Sequence, residues 1–224
     1  MMKIICVIVF YLQLVAVTQA TDFNSCELPS NNTQRVHWLN QLVVETQQIL
    51  SSYQISSWIS QGTLLGSVRD NQTLPWTGDS DVHAFATDTQ DLCNRSNRIA
   101  DEFRTRDLRI YDCRNNFLRV CFANVSMRPA PIFLERDKFA PEAKLELYGC
   151  TKRPDGLYTI TDSDCIWNFT GLFPLKRYRL GEGVYALGPN RPIYWIEQYF
   201  GKGWRKPVYY SGDVTLDNIC VGQP

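Results

Sequence analysis

Two aspartates two residues apart, Asp79 and Asp81, sit in the stretch Gly62–Asp81, GTLLGSVRDNQTLPWTGDSD, with an arginine, Arg69, and a Pro75-Trp76 pair ahead of them. On a β-strand the side chains alternate faces and the chain rises about 3.3 Å per residue, so both carboxylates point one way, roughly 6–7 Å apart at Cα. That arrangement suits a divalent cation held against a phosphate, because hard cations take oxygen ligands. His83 lies on the same strand face by the same alternation, either against substrate or as a strand histidine satisfied within the fold. A calcium loop of the EF-hand type is excluded, since no glycine stands at its sixth position and its twelfth would be Gln90. A Ser-His-Asp hydrolase has little to draw on, with only His37 and His83 in the chain and His37 in a helical pattern.

These residues need elements to position them. From Gln34 to Tyr53, apolar Val36, Leu39, Leu42, Val43, Leu50 and Tyr53 recur at helical spacing. A short strand at Ser57–Ser60 leads into a glycine loop that carries Arg69, and a strand carries Asp79 to Ala86. A helix is expected over Gln90–Thr105, then paired strands at Leu108–Asp112 and Phe117–Ala123 joined by an Arg-Asn-Asn turn. Lys144–Tyr148 is a further short strand. Pro192–Phe200 is a helix with proline at its start and Gly201 as its C-cap. Helices and strands alternate irregularly, which predicts an α/β or α+β domain and not a sandwich.

Composition bounds the remaining choices. The chain has 224 residues, 44% hydrophobic and 21% charged, with a net charge of zero, as expected of one globular domain. Neutrality gives no bulk electrostatic case for nucleic acid, so phosphate recognition must be local. Residues 1–20 predict a separate leader: Lys3 precedes an apolar run from Ile4 to Val17, and Thr18-Gln19-Ala20 supplies the small residues of a cleavage site. A signal peptide is expected there, with a single domain over 21–224; a membrane is involved only if the leader remains as an uncleaved anchor. Five N-x-S/T sequons at Asn31, Asn71, Asn94, Asn124 and Asn168, with eight cysteines in the chain, point the same way. Cys150 and Cys165 bracket a Pro-Asp-Gly turn and are expected to pair; the other pairings stay open. No tight Cys pair exists to nucleate a zinc site.

The motifs resemble the LicD and fukutin-related family. The resemblance rests on Trp58 and Ile59, then Gly62, Thr63, Leu64, Leu65 and Gly66, then Arg69, Pro75, Trp76, Asp79 and Asp81. It continues through Phe117–Val120 and Leu145–Tyr148, then Phe173-Pro174-Leu175, Gly188-Pro189-Asn190, Tyr199-Phe200-Gly201 and Trp204, over roughly residues 36 to 209. It departs at Thr77, where the family has an acidic residue directly after Pro-Trp, and at Glu146, where it has aspartate. The resemblance implies a nucleotidyltransferase-like mixed sheet flanked by helices and stabilised by disulfides. It further implies Mg²⁺ or Mn²⁺ held by Asp79, Asp81 and Glu146, which also serve as the catalytic set. Gly62, Thr63, Gly66, Arg69 and His83 would meet substrate or phosphate. The implied activity is transfer of phosphocholine or ribitol phosphate from a CDP-linked donor to a glycan hydroxyl, in the Golgi lumen or outside the cell. The alternative is a secreted relative without catalysis that binds glycans or partners.

Overall fold

A computed structural model describes residues 26–85, 99–114, 117–123, 143–161 and 166–206. The expected leader, the sequons at Asn94 and Asn124, Cys165, and most of the expected helix over Gln90–Thr105 lie outside the described residues. Helix α1, Asn32–Ser52, begins where the Asn31 side chain accepts a hydrogen bond from the Gln34 N–H and satisfies one of the free donors of the first turn. Its buried side Leu39, Leu42, Val43, Ile49 and Leu50 follows the expected stripe. Next come β1, Ser57–Ile59; α2, Gln61–Asp70; and β2, Asp79–Phe85. Residues 99–105 form α3, followed by β3, Leu108–Arg114, and β4, Phe117–Phe122. Then come β5, Lys144–Lys152; β6, Tyr158–Ile160; β7, Ile166–Trp167; β8, Lys176–Gly181; β9, Val184–Gly188; and α4, Pro192–Phe200. The fold is mixed α+β. Among the described residues no helix is long and apolar enough to cross a membrane.

The main sheet runs β1-β2-β5-β4-β3, with β6 added to β5 and β7 to β6; β8 and β9 form a separate hairpin. β2 and β5 are parallel while β1, β3 and β4 join antiparallel, so the sheet is mixed. One face of it is core: Ser80, Val82, Ala84, Leu118, Val120, Leu145 and Leu147 are all fully buried, and α1 packs over β2, β4 and β5. α1 is also tied to the hairpin: Gln47 bonds both the N–H and the C=O of Leu187, and Asn40 Nδ2 donates to the Leu180 carbonyl.

Two expectations are corrected. The segment read as a glycine loop is helix α2. Gly62 and Gly66 weaken an isolated helix by about 1 kcal/mol each relative to alanine, but tertiary contacts override that cost. A Cβ at Gly66 would stand 2.6 Å from the Gln72 carbonyl oxygen, so the helix can lie against the following turn only with glycine there. The left-handed Asn71, φ 56°, then ends the helix. The second correction concerns the disulfides. Cys150 is a buried free thiol, because the β5–β6 register places Ile160 across from it. Among the described residues a disulfide joins Cys26 to Cys121 and fastens residue 26, itself bridged to Ala123, onto β4. At a sequence separation of 95, such a link is worth about 4–5 kcal/mol in the chain-entropy account. Cys113 is disulfide-bonded as well.

Candidate functional site

The other face of the sheet carries the candidate residues. Because β2 and β5 run parallel with Asp79 beside Lys144, Asp81 beside Glu146 and His83 beside Tyr148, the alternate residues of both strands fall into cross-strand rows. β4 continues the middle row with Arg119 beside Glu146, and β3 adds Asp112 beside Arg119. The rear row, His83, Tyr148 and Phe117, is packed among aromatic rings that include Trp58 and Tyr199. The front rows border a cleft of about 490 Å³. α2 supplies one wall through Gln61, Gly62, Leu65 and Arg69, and Tyr199 and Phe200 of α4 with Gly203, Trp204 and Lys206 supply another. Asp79, Asp81, Glu146 and Tyr148 form its floor, with Trp76 and Thr77 at its edge.

Each aspartate has one anchored oxygen. Asp81 Oδ2 accepts from the Gly62 N–H at 3.0 Å, and its own N–H donates to Thr63 Oγ1 at 2.8 Å. The start of α2 thus orients Asp81, and the helix N-terminus stabilises its charge. Asp79 Oδ1 accepts from the Thr77 hydroxyl at 2.7 Å, so the residue standing where the family has an acid becomes the support of the first aspartate. Asp81 Oδ1 and Asp79 Oδ2 bond no described residue. Burial pushes the Asp81 carboxyl well above the usual range; the charges of Asp79 and Glu146 push it further, and the N–H groups of Gly62 and Thr63 only partly offset this.

Glu146 is held quite differently. Its Oε1 accepts from Arg119 Nε at 3.0 Å and lies 3.3 Å from Lys144 Nζ, and its Oε2 accepts from the Tyr148 hydroxyl at 2.7 Å. Burial would raise its pKa, but the Tyr148 bond, Lys144 and Arg119 outweigh it and hold Glu146 below the ordinary glutamate value. The Tyr148 phenol is pushed up by burial and by the charges of Asp81 and Glu146, and so stays protonated.

The remaining candidates divide. Arg69 lines the cleft, but from the last turn of α2 and not from a loop. Its Nε and Nη2 bond Asp70 at 3.0 and 2.7 Å, and its guanidinium carbon stands 5.8 Å from the Trp76 ring centre. Nη1 bonds no described residue. Thr63 and Gly66 hold strand and turn in place and do not line the cleft; nor does His83. His83 is fully buried, with Nε2 3.4 Å from the Tyr199 hydroxyl, and burial lowers its pKa to about 3, which keeps the ring neutral. Arg119, Lys144, Tyr148 and Lys206 are not candidates from the chain alone, and Thr77 stands out there only as a departure from the family's acid. Arg119 and Lys144 carried a usable signal: each is a cation at the position in an apolar strand that shares a face with the candidate acids.

Hard oxygen donors are the right chemistry for Mg²⁺ or Mn²⁺, and two uncommitted carboxylate oxygens at Asp79 and Asp81 fit such an ion. Glu146, already facing the cations Arg119 and Lys144 at one oxygen and the Tyr148 hydroxyl at the other, does not fit as it stands. Among the described residues no group of three His, Cys, Asp or Glu side chains is assembled to hold a metal ion.

Comparison with known proteins adds the lineage. The family described as LicD/FKTN/FKRP, nucleotidyltransferase domain, matches residues 54–190, a shorter span than the motifs alone indicated. An uncharacterized protein of Rickettsia typhi (strain ATCC VR-144 / Wilmington) is 27% identical over 176 residues, covering 77% of this chain and 48% of that protein. One of Rickettsia prowazekii (strain Madrid E) is 24% identical over 174 residues, covering 77% and 58%. The chain therefore spans about half the length of these curated relatives. Among solved structures, the antibiotic-resistance factor ANT(2'')-Ia in solution matches with a TM-score of 0.39 at 11% identity, over 67% of this chain and 64% of that one. Its crystal structure in complex with adenylyl-2"-tobramycin matches with a TM-score of 0.38, also at 11% identity, over 67% and 68%.

Proposed function

Because the chain belongs to the LicD/FKTN/FKRP nucleotidyltransferase family, a family of phospho-alcohol and nucleotidyl transferase type, we propose that it moves a phosphocholine- or ribitol-phosphate-class group. The donor is CDP-linked, the acceptor is a glycan hydroxyl, and CMP leaves. The observation that carries this reading is the meeting of Asp79, Asp81 and Arg69 in one cleft large enough for a nucleotide-linked donor.

Asp79 and Asp81 are the residues that would hold Mg²⁺ or Mn²⁺, which when bound offsets diphosphate charge and charge growing on the leaving phosphate. Thr77 and the Gly62 N–H fix the two carboxylates from behind. Arg69 Nη1 meets a phosphate oxygen, with Asp70 and the Trp76 ring keeping the guanidinium in place. Trp76, exposed at the edge of the cleft, presents a ring face for a nucleobase or for the cationic head of choline. Glu146 is a poor proton acceptor while two cations and a phenol hold it, and with Asp81 Oδ2 on the Gly62 N–H and Oδ1 given to the cation, the proton of the acceptor hydroxyl passes to solvent water.

Passage through the secretory pathway, to the Golgi lumen or beyond the cell, is supported by the disulfides at Cys26–Cys121 and Cys113. Exposed sequon asparagines at Asn31, Asn71 and Asn168 support it as well. A second reading, a secreted glycan-binding relative without catalysis, is favoured by one observation: the third carboxylate is tied down by Arg119 and Lys144. The test is release of CMP from CDP-choline or CDP-ribitol in the presence of glycan acceptors. Mn²⁺-dependent release, lost in Asp79→Ala, supports the transferase. No release with either donor and either metal, alongside retained glycan binding, supports the second reading.

A further inference from the structure

We propose that Glu146 is a positioning residue and not a metal ligand, and that the cleft takes a single divalent cation through Asp79 and Asp81. The proposal rests on the metal-dependent reading above and sharpens it. Asp81, Glu146, Arg119 and Asp112 lie in one row across four neighbouring strands, with charges in the order minus, minus, plus, minus. Arg119 bridges the acids on either side of it, giving Nε to Glu146 at 3.0 Å and Nη1 to Asp112 at 3.3 Å. Lys144, 3.3 Å from the same oxygen of Glu146, adds a second positive charge.

The two ends of this arrangement differ in what they offer an ion. Asp79 and Asp81 are supported by neutral donors, a hydroxyl and a backbone N–H. Each keeps an oxygen that bonds no described residue. Glu146 is matched by two fixed cations and a phenol, so a divalent ion at its oxygens would have to displace Lys144 or Arg119 or sit against them. Like charges at such distances repel strongly where water is excluded. With Glu146 matched in this way, the site lacks the extra carboxylate that a second ion would need. The chain's own cations do at Glu146 what a metal does elsewhere: they hold the carboxylate in place beside Asp81.

Calorimetric titration of Mn²⁺ into the protein tests this. Wild type should bind one Mn²⁺ per chain, and Asp81→Asn should weaken binding by at least about tenfold. Glu146→Gln, which keeps the size and the Tyr148 contact, should stay within about threefold of wild type. Arg119→Gln, which frees Glu146 to compete for the ion, should bind Mn²⁺ more tightly, by about fivefold. Glu146→Gln alone decides the matter if Arg119→Gln fails to fold. Two ions in wild type, or a loss in Glu146→Gln as large as in Asp81→Asn, overturns the proposal and leaves the metal reading standing. No Mn²⁺ binding by wild type overturns that reading, and the proposal with it.

Discussion

Neighbouring residues of β2 and β5 live in opposite surroundings. Val82, Ala84, Leu145 and Leu147 are sealed beneath α1, while Asp79, Asp81 and Glu146 border the cleft one residue away. The same backbone register serves both faces. On the core face it aligns apolar side chains for burial; on the cleft face it aligns charges that no apolar packing would tolerate. The lesson is that the core and the candidate site draw on alternate residues of the same strands, so stability and the proposed chemistry should separate under mutation.

Asp81→Asn tests that separation hardest. CMP release should fall by about a thousandfold or more, equivalent to about 4 kcal/mol of lost transition-state stabilisation. The urea midpoint should hold or rise, since a buried charge crowded by Asp79 and Glu146 is removed. The reverse case is Leu147→Ala, one residue from Glu146 and fully buried. It should cost about 3 kcal/mol in denaturant unfolding, while the fraction that stays folded keeps its Mn²⁺ affinity. A joint loss of stability and binding in either variant would break the comparison.

His83 tests the boundary between the two regimes. Its folded pKa, about 3, lies below the unfolded value near 6.5. Between those values the unfolded chain binds a proton that the folded one refuses. Its share of stability is therefore intact above about pH 6.5 and declines on acidification toward pH 3, by at most about 1.4 kcal/mol per pH unit. Unfolding measured across that range for wild type and His83→Phe should show the variant with the flatter acid limb. The smallest effect is expected at Gly62→Ala, whose Cβ would stand 3.3 Å from Asp81 Oδ2. Mn²⁺ affinity should weaken by about threefold, with stability changed by less than about 1 kcal/mol.

Much of this arrangement is legible in the chain itself. The strand carrying Asp79 and Asp81 and the helix Pro192–Phe200 follow from alternation and from proline and glycine at their ends, signals that are local. Helix α2 is not legible. Its glycines read as a loop, and what makes it helical is contact with Gln72–Leu74 and with Asp81, both remote from any propensity. The Cys26–Cys121 bond is hidden for the same reason, since only the pairing of the first segment with β4 brings the two together. Strands β6 to β9 are short and lack a sustained period, so the hairpin that Gln47 and Asn40 hold to α1 leaves little trace. The three carboxylates were visible as candidates, but the tie of Glu146 to Arg119 depends on the order of strands in the sheet.

The central claim is that Asp79 and Asp81 form a cation-dependent seat for a CDP-linked donor. Calorimetric titration of the protein with CDP-choline and CDP-ribitol, with and without Mn²⁺, tests it most directly. The account predicts saturable heat with at least one donor only when Mn²⁺ is present, and none for Asp79→Asn or Asp81→Asn. Binding that is indifferent to Mn²⁺ and unchanged in both variants would contradict it.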